Sequence, residues 1–109
     1  MGLCFSKPDK KDILKDSREA IECNARSLAV CTELAENELK TKVARLCDAV
    51  KYMTPTTSEG AMRMDKKISA LAGDLKIVLS KGSERSLVQA EDIVKDLSNA
   101  IAERNTYTA

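Results

Sequence analysis

Between Asp9 and Thr54 the chain contains no proline or glycine, and apolar or small residues recur every three or four positions. The series runs Ile13/Leu14, Ser17, Ile21, Asn24, Leu28, Thr32, Ala35, Leu39, Val43, Leu46, Val50 and Met53. This is the period of one helical face, not the alternation of a half-buried strand. Read as one helix, the run covers about 45 residues and measures roughly 65 Å at ~1.5 Å per residue. That is long for a globular domain, so a break near Glu36-Asn37 is the competing reading.

Two further runs follow the same rule. Thr54-Pro55-Thr56-Thr57-Ser58 stops the first helix, because Pro55 disfavours helical backbone at Thr54. Thr57 or Ser58 caps the next helix, with Glu59 at its positive end. Its stripe is Ala61, Met64, Ile68, Leu71, Leu75 and Val78, a heptad-like seam typical of coiled coils. Gly73 lies within it and reads as a point of close helix approach. Gly82 suits a helix C-terminus and Ser83 the following N-cap. The last stripe is Leu87, Ala90, Val94, Leu97 and Ile101, with Ile93 beside it, fraying from Asn105.

The expected fold is therefore all-α: an antiparallel three-helix bundle with a long first helix. The helices span about 9–53, 58–81 and 84–104. They form one domain over residues 9–105, after a tail of residues 1–8. If Gly82 were absorbed into a continuous helix, a long two-helix hairpin would result, but Gly82 and Ser86 would then sit in its seam. In the three-helix reading the first helix overhangs its partners or bends. Its stripe, represented by Ile21, Leu28, Leu39, Leu46 and Val50, is the expected interaction face for helical partners or a second copy.

Composition narrows the chemistry. The chain has 109 residues, 32% charged and 3% aromatic, with a net charge of +1. Aliphatic residues must supply the packing, and the length fits one domain. Basic and acidic residues are interleaved, so no clustered basic face predicts nucleic-acid binding. The absence of histidine removes the commonest general base and the commonest transition-metal ligand. Cys4, Cys23, Cys31 and Cys47 form no CxxC pair. Cys23, Cys31 and Cys47 read as small apolar residues on helices, with reduced thiols. No cofactor, metal or small-molecule substrate is expected.

Other clusters have bland readings. Glu33, Glu36 and Glu38, and Glu91, Asp92 and Asp96, read as solvated ion-pair faces. Met53, Met62 and Met64 read as gap-fillers at a bundle end. Ser17 and Asn24 are polar residues in an apolar seam, suited either to register, to a hydrogen bond with a neighbouring helix, or to exposure.

The most specific motif is the start, Met1-Gly2-Leu3-Cys4-Phe5-Ser6. It matches M-G-x-x-x-[ST], in which Gly2 accepts myristate after Met1 is removed. Lys7 follows the small hydroxyl of Ser6, and Cys4 lies two positions after Gly2. These residues resemble the start of dually acylated, membrane-tethered signalling proteins. The resemblance covers seven or eight residues and implies myristate on Gly2 and palmitate on Cys4. One myristoyl chain binds membranes only marginally, so a second signal is required. Residues 7–18 carry Lys7, Lys10, Lys11, Lys15 and Arg18 against Asp9, Asp12 and Asp16, a sum of +5 − 3 = +2. That is a weak anionic-surface patch, which makes Cys4 the better second anchor. No apolar leader follows the start, and no stretch reaches the ~18 apolar residues of a membrane span.

The expectation is a non-enzymatic helical adaptor or scaffold in the cytoplasm, peripheral on the cytosolic face of a membrane through Gly2 and Cys4. The alternative is a soluble, self-associating helical bundle without lipid.

Overall fold

The computed structural model describes residues 10–108. It is all-helical, with four helices: α1 (Lys10–Leu34), α2 (Asn37–Lys51), α3 (Glu59–Lys81) and α4 (Glu84–Thr106). The all-α class holds. The long first helix does not: it breaks at Ala35 and Glu36, and α2 folds back against α1.

The reversal is local. Asn37 has φ 57°, the left-handed region that asparagine tolerates better than most residues. Glu36, just before it, is extended (φ −129°, ψ 157°). Ala35 closes the last turn of α1 through its N–H to the Cys31 carbonyl, 2.9 Å. The physical gain is a match of lengths. Helices α3 and α4 have 23 residues each, about 35 Å at ~1.5 Å per residue. A continuous first helix would leave nearly half its stripe beyond them. Folded at residue 35, α1 has 25 residues, and both halves of the stripe reach one core.

The other boundaries follow the sequence. Ser58 caps α3, its hydroxyl accepting from the Ala61 N–H at 3.3 Å. Gly82 ends α3 with φ 63°, where a Cβ would be strained. Ser83 opens α4 with a capping box: its hydroxyl accepts from the Ser86 N–H, and the Ser86 hydroxyl accepts from the Ser83 N–H.

Two hairpins, α1–α2 and α3–α4, lie side by side. Helices α1 and α3 are parallel: the Asn24 side chain donates to the Asp65 carbonyl at 3.1 Å and the Cys31 thiol to the Ala72 carbonyl at 3.6 Å, both across 41 positions. Because α2 and α4 each run against their hairpin mates, they are parallel to each other as well. Neighbours are α1–α2, α1–α3, α3–α4 and α2–α4; α1 and α4 face diagonally, as do α2 and α3.

One apolar core joins all four helices. Leu28, Ile68, Leu75 and Leu97 are wholly inaccessible, each contributing roughly 1.5–3 kcal/mol by burial. The five residues expected to face a partner are part of this core: Ile21, Leu28, Leu39, Leu46 and Val50 are all buried within the chain. The hairpin turns that stripe inward. Gly73 also departs from expectation, since nothing within 4 Å would meet a Cβ there. The close approach occurs instead at Gly60, where an added Cβ would run into the ring of Tyr107.

Candidate interaction surfaces

The two ends of the bundle differ in chemistry. One end holds the start of α1, the α2–α3 loop, the start of α3 and the end of α4, and it is tied by buried polar groups. Arg104 is fully buried. Its Nε donates to Asp65 Oδ1 at 3.0 Å and its Nη1 to the Thr54 carbonyl at 2.7 Å. Ser17 accepts from the Thr56 N–H at 3.0 Å, and Asn24 donates to the Asp65 carbonyl. These bonds join all four elements that meet there. The polar seam residues Ser17 and Asn24 thus hold neighbouring segments. Met53 and Met64 are buried at this same end and Met62 is half-buried, consistent with gap-filling. Arg104 and Asp65 are the residues that the sequence reading passed over.

The opposite end carries the two hairpin turns. Val30 and Leu34 on α1, Ile77 on α3, and Leu87 and Val88 on α4 are exposed large apolar residues near it. Leu34 and Leu87 line one hollow with Val78 and Leu79. Leu87, expected in the seam, is half-exposed because the core stripe of α4 begins at Ser86 and Ala90.

Three cysteines lie among the described residues, all free thiols. Cys31 is buried and bonds to Ala72; Cys47 donates to the Ala25 carbonyl at 3.3 Å. Both serve as small helix-packing residues that also satisfy a neighbouring carbonyl. Burial pushes the Cys31 thiol up to about 11, with Lys76 opposing and Cys47 adding to the rise. Burial also raises Cys47, helped by the adjacent Asp48 and opposed by Lys51. Cys23 is exposed.

Glu33, Glu36, Glu38, Glu91, Asp92 and Asp96 are all exposed. Among the described residues, no group of three or more Cys, Asp or Glu is placed to hold a metal ion, and Arg104–Asp65 is the only ion pair. No helix among the described residues is long and apolar enough to cross a membrane. Gly2 and Cys4, the expected lipid acceptors, lie outside the described residues, as does the expected N-cap Asp9. Compared with protein-family models, curated proteins and solved structures, the chain matches none.

Proposed function

We propose that this chain is a non-enzymatic helical adaptor, held at the cytosolic face of a membrane by myristate on Gly2 and palmitate on Cys4. The observation that carries the reading is the hexapeptide Met1-Gly2-Leu3-Cys4-Phe5-Ser6. Myristoyl transfer needs a free amine on a residue without a side chain, which Gly2 supplies once Met1 is removed. Cys4 supplies a thiol for the second chain that stable anchoring requires.

The fold suits such an arrangement. Seven residues lie between Gly2 and Lys10, the first residue of α1, so the eight backbone steps reach at most about 26–29 Å. The helical body beyond that spacer has a short-loop scaffold and free outer faces on which a partner can dock.

The test is intact-mass analysis of the chain expressed in a eukaryotic cell, with membrane fractionation. The expected result is loss of Met1, gain of a myristoyl group, and a membrane-bound pool that Gly2→Ala abolishes and Cys4→Ser reduces. An unmodified Gly2, or a Gly2→Ala chain distributed like the parent, overturns the tether.

A further inference from the structure

The parallel helices α2 and α4 share the least extensive of the four helix–helix seams. It forms a groove of about 440 Å³. Leu46 and Val94 line it as its apolar part, each largely buried. Lys42 and Arg45 from α2 and Lys95 from α4 also line it, against a single carboxylate, Glu91. All four charged residues are exposed. None of the three cations forms an ion pair, since Arg104–Asp65 is the only one among the described residues.

We infer that this groove receives an acidic amphipathic helix from a partner protein. Shape and charge both point there. A concave seam between parallel helices accepts a rod, whereas a planar membrane would touch only its rims. Apolar anchors of a docked helix recur at i, i+3, i+4 and i+7 and would lie over Leu46 and Val94. Glutamates or aspartates flanking those anchors would meet Lys42 and Arg45 on one wall and Lys95 on the other. Such charge complementarity steers encounter and rejects basic helices. Glu91 adds a local repulsion that sets where the acidic flank of the partner must be interrupted. The inference rests on the adaptor half of the proposed function and names its partner class; it does not depend on the acyl chains.

The test uses the full chain, unacylated, and a fluorescein-labelled peptide of about 18 residues, five helical turns, with leucines on one face and glutamates on both flanks. A second peptide carries lysines in place of the glutamates. Fluorescence anisotropy is expected to show the acidic peptide binding at least about tenfold more tightly, with affinity falling as salt rises. The triple variant Lys42→Glu, Arg45→Glu, Lys95→Glu is expected to lose that binding while keeping its thermal unfolding curve. A control triple, Lys66→Glu, Lys67→Glu, Lys76→Glu on α3, is expected to keep it. Equal binding of both peptides, or equal loss in both triples, overturns the inference. So does a parent chain that dimerises through the groove, or that binds phosphatidylserine vesicles through it in place of the peptide. Absent peptide binding with Gly2 acylated removes the groove and leaves the tether; peptide binding with an unmodified Gly2 removes the tether and leaves the groove.

Discussion

Arg104 near the end of α4 and Asp65 near the start of α3 form an ion pair of 3.0 Å inside the bundle, with Arg104 wholly inaccessible and Asp65 4% exposed. The pair is incompletely matched: Asp65 Oδ2 and Arg104 Nη2 have no hydrogen-bond partner among the described residues. Its worth to stability is thus asymmetric. Leaving one charge buried alone is costly, whereas removing both is not.

From this follows a mutant cycle. Arg104→Met should destabilise the fold by about 3–5 kcal/mol, because the Asp65 carboxylate is left unpaired. The Thr54 carbonyl loses its donor in the same step. Asp65→Leu alone should cost a similar amount. The double variant should be more stable than either single one. Urea unfolding followed by circular dichroism measures all three; additive losses in the double variant contradict the account.

At the α1–α2 turn the backbone makes its own demand. Asn37 sits at φ 57°, which costs a β-branched residue roughly 1–2 kcal/mol. Asn37→Val should therefore lower stability by about that much, and Asn37→Gly should be neutral or stabilising. Thermal unfolding of the two variants gives the comparison. A tolerated valine would mean that the turn is elsewhere.

The cysteines give a prediction in pH. The folded Cys31 thiol is raised from 9.0 to about 11, so ionisation favours the unfolded chain. The stability linked to this group is full below pH 9 and is lost as pH rises towards 11. Cys31→Ala should unfold with a shallower loss of stability over that window than the parent. The burial behind this shift also predicts that a thiol reagent labels exposed Cys23 well before Cys31. Labelling of Cys31 at the rate of Cys23 would contradict the packing.

Much of the fold was legible, and what was missed has physical causes. The stripe residues Ser17, Ile21, Asn24, Leu28, Ala35, Leu39, Val43, Leu46, Val50 and Met53 are all buried. Yet their spacing is the same whether the helix continues or doubles back, since each half of a hairpin must still face the core. Neither glycine nor proline marks the turn; Asn37 does so only through its tolerance of positive φ. That is why the three-helix expectation failed while the all-α one held. Arg104 follows Ile101 by three residues and so continues the last stripe. Its charge, at a terminus expected to fray, hid its place in the core. Cys31 rather than Thr32 faces inward for a related reason: the stripe drifts by one position before the turn. The groove between α2 and α4 was illegible altogether, because it depends on which helices become neighbours. The Gly2 and Cys4 motif stands apart from all of this, as a local signal that the packing neither needs nor alters.

The reversal at Ala35–Glu36 buries the first stripe and brings α2 alongside α4. Arg26 on α1 and Lys51 on α2 line the same surface depression, and both are exposed. Spin labels at Arg26→Cys and Lys51→Cys, in a chain with its native cysteines replaced, report their separation by pulsed dipolar spectroscopy. The account predicts a short distance, below about 20–25 Å, two helix diameters. A continuous first helix would put the same sites about 38 Å apart at ~1.5 Å per residue, and a peak there would contradict it.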